Sequence, residues 1–152
     1  GVNILPNTCQ ELAKIENIVA IKEASGNLSQ VAEIVNLCGD ELSIYSGNDD
    51  QILPVLSLGG IGVISVLSNI MPKFTHTMVE DFLNGKLQEA RISQIKAIPL
   101  IQALFCEVNP IPVKAGLNML GYHAGIPRLP LLEMSVKNQE ILKKEIENLK
   151  KQ

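Results

Sequence analysis

The chain has no tryptophan, only 3% aromatic residues, and three cysteines among its 152 residues. So few aromatics argue against a base-stacking platform for single-stranded nucleic acid. The net charge of −3 comes without a basic stripe, which argues against nucleic acid and anionic membranes as partners. Cys9, Cys38 and Cys106 are odd in number and widely spaced, so neither a disulfide framework nor a zinc knuckle is predicted. We predict reduced, mostly buried thiols in a cytosolic protein.

The sequence also lacks a long apolar run and a metal-binding pattern. A membrane-spanning helix needs about 20 consecutive apolar residues, and the longest mixed run, 52–71, is broken by proline and glycine. His76 and His123 are isolated, with no second ligand at metal spacing, so no metal site is predicted. There is no signal peptide or transit pattern, and no initiator methionine. The missing methionine is compatible with processing and with a piece of a longer polypeptide.

What the chain does have is an alternation of helices and strands. Hydrophobic residues make up 46% and charged residues 19%, as expected of a globular protein. Strands are predicted at 18–22, 42–45 and 62–66 with helices between them, a pattern typical of parallel βαβ units. From Lys86 onward only helices are predicted. We therefore divide the chain into an α/β portion, residues 1–85, and a helical region, residues 86–152.

Three parallel strands leave two open sheet edges, and natural sheets seldom leave such edges uncovered. An eight-stranded α/β barrel needs about 250 residues, more than this chain has. The pattern resembles the end of such a barrel with a helical appendix. Either the chain forms a small open sheet, or it needs a complementary chain.

One lysine ends the first predicted strand. The apolar run 18–21 predicts a strand covered on both faces, and Lys22 follows it directly, before the turn at Gly26 and Asn27. Burial disfavours the charged ammonium form of a lysine, and the resulting amine can form a Schiff base with a carbonyl substrate. From this segment alone, a strand-end lysine that reaches solvent or pairs with a carboxylate is the commoner case.

Other polar and small residues follow the remaining strands. In parallel α/β folds the carboxyl ends of the strands meet at one mouth, where Lys22, residues 47–49 and residues 65–66 would converge. Taken alone, the stretch 46–49 is more often a turn and a helix cap. The glycine-rich stretch 59–62 precedes a strand, so it is not a phosphate loop.

Five motifs nevertheless occur together in one order, and together they are specific. They are Ile21-Lys-Glu-Ala-Ser-Gly-Asn27, Leu42-Ser-Ile-Tyr-Ser-Gly-Asn-Asp-Asp50, Gly59-Gly-Ile-Gly-Val-Ile-Ser-Val66, Asn109-Pro-Ile-Pro-Val-Lys114 and Arg128-Leu-Pro-Leu131. This series resembles the C-terminal half of the dihydrodipicolinate synthase family, over nearly the whole chain. The resemblance implies the C-terminal part of a (β/α)8 TIM barrel, with three parallel strands and helices, followed by a C-terminal helical region.

The resemblance also implies roles for individual residues. Lys22 corresponds to the lysine that forms a Schiff base with pyruvate. Ile64 matches the residue whose backbone carbonyl faces that lysine inside the barrel, and Gly47 matches a glycine that lines the second-substrate pocket. Asn109 and Pro110 lie in a segment that shapes the mouth of the site from the helical region.

The implied reaction is the condensation of pyruvate with L-aspartate 4-semialdehyde, the entry step of diaminopimelate and lysine biosynthesis. It needs no metal or organic cofactor. In this family the relay tyrosine, a pair of threonines, the substrate-gripping arginine and the lysine feedback site lie in the N-terminal half, and none has a match here. We therefore expect a half that needs a complementary N-terminal chain, within a homo-oligomer that is a tetramer in the intact family.

Two alternatives remain open on the sequence. One is a sister pyruvate-dependent aldolase, such as N-acetylneuraminate lyase or a keto-deoxy sugar acid aldolase. These branches share the lysine strand but are not expected to carry the Lys-Glu-Ala or Asn-Pro-Ile-Pro-Val-Lys pattern in this form. The other alternative is a non-catalytic half-barrel that serves as an assembly module, in which Lys22 is merely structural.

Overall fold

The computed structural model describes residues 2–151, and their contacts divide into two compact units. The first unit contains the chain up to Ser65 together with Val79–Leu87. The second contains Val66–Met78 and the chain from Gln88 onward. The boundary at residue 85 between a barrel portion and a helical region stays a prediction.

The described residues form a three-stranded parallel sheet and a series of helices. The strands are β1 (Ala20–Glu23), β2 (Ser43–Ser46) and β3 (Gly62–Val63), paired in the order β1-β2-β3. The helices are α1 (Pro6–Ala13), α2 (Leu28–Cys38), α3 (Ile52–Ser57), α4 (Pro72–Leu83), α5 (Leu87–Leu104), α6 (Ile111–Met119) and α7 (Val136–Lys150). No helix of residues 2–151 is both long and apolar enough to cross a bilayer. The predicted alternation of helices with parallel strands is confirmed.

One face of the sheet packs against helices, and among residues 2–151 no helix covers the other face in the same way. Side chains of a strand alternate between the two faces, and in β1 Glu23 is buried while Ala20 and Lys22 are exposed. On β2, Ile44 and Ser46 are buried. The core of this unit joins Ile44 to α1 and α2, and its buried members are Cys9, Val31, Ile34, Cys38, Leu42, Ile44 and Val55.

The prediction that the first strand is covered on both faces is therefore wrong for this chain. The strand begins at Ala20, the preceding Val19 is 65% exposed, and Lys22 is exposed as well. The apolar run correctly indicates a strand. Whether both faces of that strand are buried depends on the elements packed against it, and in the described residues helices cover one face. Strand β3 is also shorter than predicted and ends at Val63, which leaves Ile64 just beyond it.

Helix α2 shows how the local sequence sets an element in this unit. The Asn27 side chain accepts hydrogen bonds from the backbone amides of Ser29 and Gln30, which satisfies two of the free amides of the first turn. Val31 and Ile34 then face the core one turn apart. Gly39, with a φ of 55°, ends the helix in a backbone conformation that other residues adopt at a cost.

The second unit is built from helices around its own apolar core. Its buried members include residues of α5, α6 and α7: Ala97, Leu100, Ile101, Ala103, Leu104, Ile111, Val113, Leu142, Ile146 and Leu149. Gly116 of α6 sits where α7 approaches, and a Cβ there would lie 3.6 Å from Leu142 Cδ2 and 3.5 Å from Ile146 Cδ1. Both distances are ordinary van der Waals contacts, whereas the same Cβ would stand only 2.9 Å from Ile70 Cδ1, so the missing side chain makes room for Ile70.

The carboxylate of Glu107 holds the start of α7, where Ser135 has the residue type of a helix cap. Ser135 occupies the N-cap position, but its side chain makes no cap hydrogen bond to the helix. Its hydroxyl instead donates to Glu107 Oε1 at 2.7 Å, and Asn138 Nδ2 donates to the same oxygen at 2.7 Å. The hydrogen bonds from Ser135 and Asn138 lower the pKa of the Glu107 carboxyl, since they favour its charged form.

Truncation of Leu142 to alanine is expected to destabilise this second core. Leu142 is fully buried, and a buried leucine replaced by alanine costs about 2–5 kcal/mol in the free energy of unfolding. The neighbouring Ile141 on the same helix is 43% exposed, so Ile141→Ala is a matched control with a much smaller expected cost. Urea unfolding followed by circular dichroism compares the two variants, and equal losses would contradict the described packing.

Candidate active site

The three parallel strands end on the same side of the sheet, so their carboxyl ends lie next to one another, as predicted. Lys22 of β1 pairs in register with Tyr45 of β2. Just beyond the strands, the Gly47 amide donates to the carbonyl of Glu23 at 2.7 Å, and the Ile64 amide donates to the carbonyl of Ser46 at 2.8 Å. The backbone thus brings Lys22, Gly47 and Ile64 together at the carboxyl ends of the strands.

Lys22 lies directly against Gly47. A Cβ added to Gly47 would stand 2.9 Å from Lys22 Cε and 2.5 Å from Ala24 Cβ, closer than a carbon–carbon contact allows. Gly47 has no left-handed backbone conformation, so glycine is required here for space. The arrangement leaves the Lys22 side chain room over the loop that follows β2.

Ile64 comes directly after β3, and its side chain is half-exposed, at 49%. The role suggested for its backbone carbonyl, facing the lysine, stays a prediction. Asn109 and Pro110 are exposed and come directly before α6 in the second unit. Their part in shaping the mouth of the site also stays a prediction.

A cleft of about 610 Å³ opens beside the end of β1. It is lined by residues of the strand, of the turn after it, of the first turn of α2 and of the segment before α1, among them Asn3, Ile21, Lys22, Glu23, Ser25 and Gln30. Lys22 is exposed, so its amine is accessible to a small molecule in this cleft. The site can therefore present a primary amine to a carbonyl compound.

A buried carboxylate, that of Glu23, follows this lysine in β1, and the sequence pattern alone predicts no role for it. Glu23 is only 6% exposed, and its Oε1 accepts hydrogen bonds from the Ser25 amide at 3.1 Å and from Gln30 Nε2 at 3.0 Å. Gln30 in turn exchanges two hydrogen bonds with the side chain of Asn3, at 2.7 and 3.1 Å. The strand alternation that exposes Lys22 was the signal that would have placed Glu23 on the helix side.

The two thiols of the first unit, Cys9 and Cys38, are buried and are not activated as nucleophiles. Cys9 and Cys38 are buried and Cys106, in the second unit, is exposed; all three are free. Burial raises the pKa of Cys9 and of Cys38, which keeps these thiols protonated at neutral pH. In the part of the chain that the structure describes, no group of three or more His, Cys, Asp or Glu is placed to hold a metal ion.

Comparison with known proteins identifies the family. The model of the Dihydrodipicolinate synthetase family matches residues 1–149. The chain belongs to this family. It is 64% identical over 144 residues to the 4-hydroxy-tetrahydrodipicolinate synthase of Caldicellulosiruptor bescii. That alignment covers 95% of this chain and 48% of the relative. It is 53% identical over 150 residues to the synthase of the same name from Clostridium perfringens, which covers 99% of this chain and 50% of that relative.

Solved structures of the family carry the same fold. The dihydrodipicolinate synthase of Thermotoga maritima aligns with a TM-score of 0.94 at 39% identity, over 99% of this chain and 52% of that one. The synthase of Methylacidiphilum fumariolicum aligns with a TM-score of 0.95 at 40% identity, over 99% of this chain and 51% of that one. The chain thus spans about half the length of the relatives it matches. The predicted family and the predicted fold, part of a parallel α/β barrel with a helical region, are confirmed.

Proposed function

We propose that this chain carries the Schiff-base lysine of a 4-hydroxy-tetrahydrodipicolinate synthase, which condenses pyruvate with L-aspartate 4-semialdehyde. The observation that carries the proposal is the placement of Lys22 at the carboxyl end of β1, exposed to a cleft and seated against Gly47. Active sites of parallel α/β barrels lie at this end of the strands. The 64% identity to a synthase of that name supports the same reaction.

In the proposed reaction the Lys22 amine adds to the ketone carbon of pyruvate, and loss of water gives an iminium. The iminium draws electrons from the neighbouring methyl group, so loss of a methyl proton gives an enamine. The enamine carbon then bonds to the aldehyde carbon of the second substrate, and cyclisation releases the lysine. The covalent intermediate replaces one difficult step by several easier ones. Because the iminium is itself the electron sink, the reaction needs no metal or organic cofactor.

The proposed partner is a complementary N-terminal half chain. Within the residues described, β1 lies at one sheet edge and is paired only on its β2 side. Val19, Ile61 and Ile64 beside the sheet are 65%, 46% and 49% exposed, and an apolar open edge favours pairing with another strand. An eight-stranded barrel would need five strands besides the three present. The partner would supply those strands and the groups that handle protons and the second substrate.

We further propose that the completed barrel is a homo-oligomer and that it works in the cytoplasm. Three free cysteines fit a reducing compartment. The oligomer is proposed from family membership, and the N-terminal half would contribute much of its interface.

The test is borohydride trapping with pyruvate, in the presence and absence of the N-terminal half of the Caldicellulosiruptor bescii relative. We expect a reduced pyruvate adduct on Lys22, located by peptide mass spectrometry, and stronger labelling with the partner. Omission of pyruvate is the control. No adduct with the partner present would favour the non-catalytic assembly module. Turnover of sugar acids but not of L-aspartate 4-semialdehyde by the reconstituted barrel would favour a sister aldolase.

A further inference from the structure

The proposed chemistry gives no role to Glu23, whose carboxylate is buried. Glu23 follows Lys22 in β1, and because side chains alternate along a strand the two point to opposite faces of the sheet. Lys22 is exposed, whereas Glu23 is 6% exposed on the helix side. A buried carboxylate costs free energy unless it is well hydrogen-bonded. Its presence beside the reacting lysine therefore calls for a physical account.

The Glu23 carboxylate anchors the turn that follows the lysine. Its Oε1 accepts from the Ser25 amide at 3.1 Å and from Gln30 Nε2 at 3.0 Å. A hydrogen bond within the turn also holds it in place, because the Asn27 amide donates to Ser25 Oγ at 3.0 Å. The carboxylate thus joins the end of β1 to the first turn of α2.

The same network reaches the segment before α1. The side-chain amides of Gln30 and Asn3 exchange hydrogen bonds of 2.7 and 3.1 Å, a paired geometry that fixes the orientation of both groups. Gln30 is only 8% exposed, so its remaining donor is directed to Glu23. The end of β1 and the first turn of α2 therefore meet at the Glu23 carboxylate, and Gln30 links them to the segment before α1.

We propose that Glu23 is a positioning residue that holds Lys22 in register with Gly47, an inference that rests on the proposed Schiff-base function. The Glu23 carbonyl accepts from the Gly47 amide at 2.7 Å, while its carboxylate fixes the turn through Ser25 and Gln30. The main chain that directly follows Lys22 is thereby held at two points, the Glu23 carbonyl and the Ser25 amide. Glu23 acts on the amine through the backbone, so its effect falls on the placement of Lys22.

The test compares the rate of borohydride-trapped adduct formation in the reconstituted complex at saturating pyruvate. Glu23→Ala and Gln30→Ala are each expected to slow trapping about tenfold or more, because small displacements of a reacting group carry large rate costs. Glu23→Gln keeps an oxygen that accepts from both partners and should restore most of the rate. Val31→Ala, which truncates a fully buried side chain of the same unit, controls for general destabilisation. Trapping that is equally slow in Val31→Ala, or unaffected in both Glu23→Ala and Gln30→Ala, overturns the proposal.

A second readout separates this proposal from the Schiff-base function itself. Brief acylation with acetic anhydride labels accessible lysine amines and needs no pyruvate. The label on Lys22 is compared with the label on the exposed Lys14, which serves as an internal reference. We expect the ratio of Lys22 to Lys14 labelling to shift in Glu23→Ala and Gln30→Ala and to stay at the wild-type value in Glu23→Gln. If the wild type forms no pyruvate adduct, the proposed function fails, and this ratio still decides the positioning role. An unchanged ratio in both alanine variants refutes it.

Discussion

Replacement of Lys22 with arginine is expected to abolish the pyruvate adduct while the chain keeps its fold. Arginine retains the positive charge and the length of the side chain but cannot lose its proton in a protein, so no free amine is left to attack the ketone. Lys22 is exposed, and substitutions at exposed positions usually change stability by less than about 0.5 kcal/mol. Borohydride trapping with peptide mass spectrometry measures the adduct, and urea unfolding measures the fold.

Lys14→Arg is the matched control for this experiment. Lys14 lies in the same unit, pairs with Glu11 at the surface and is exposed, so its replacement should leave trapping at the wild-type level. Persistent labelling of the Lys22→Arg variant would show that the nucleophile is another group. Loss of labelling in both variants would show instead that the effect of a lysine-to-arginine replacement on trapping is not specific to Lys22.

The elements that could be predicted are those set by local patterns. The apolar spacing of Val31, Ile34 and Cys38 predicts α2, and Gly39 marks its end because a left-handed residue stops a helix. The order of strands and helices predicts parallel pairing, and parallel pairing brings Lys22 and Gly47 to one edge. These inferences need only short-range information, which the sequence contains.

The features that escaped prediction depend on contacts between distant residues. Ser135 has the residue type and position of a helix cap, but its hydroxyl donates to Glu107, 28 residues away. Gln30 pairs with Asn3 across 27 residues. A local pattern names the possible donors and acceptors, whereas the tertiary fold decides which partner each one meets.

The same reasoning accounts for the error at β1. A run of apolar residues reports that a strand is suited to burial, but whether both faces are covered depends on neighbouring elements. Here α1 and α2 cover one face, and Val19 stays 65% exposed. In the proposed function this mismatch has a physical meaning, because an apolar strand that is open in the described residues is suited to a complementary half.

Replacement of Gly47 with alanine is expected to disrupt both the fold around the site and its chemistry. The new Cβ would stand 2.5 Å from Ala24 Cβ and 2.9 Å from Lys22 Cε. Forcing a methyl group into packed surroundings costs about 1–3 kcal/mol. A displacement of Lys22 by about 1 Å can slow adduct formation about a hundredfold. The urea midpoint and the rate of borohydride trapping measure the two effects separately.

The double variant Ala24→Gly with Gly47→Ala separates packing from chemistry. It removes the atom that the new Cβ would meet at 2.5 Å, while the contacts with Lys22 Cε at 2.9 Å and with the Glu23 carbonyl oxygen at 3.1 Å remain. Because the lysine side chain is flexible, it can swing away, so stability should recover towards that of Ala24→Gly alone. Trapping should stay slow, since the amine has left its place over Gly47. Recovery of both stability and trapping would show that Gly47 serves only the packing of the turn, and wild-type trapping in Gly47→Ala alone would contradict the described geometry of Lys22.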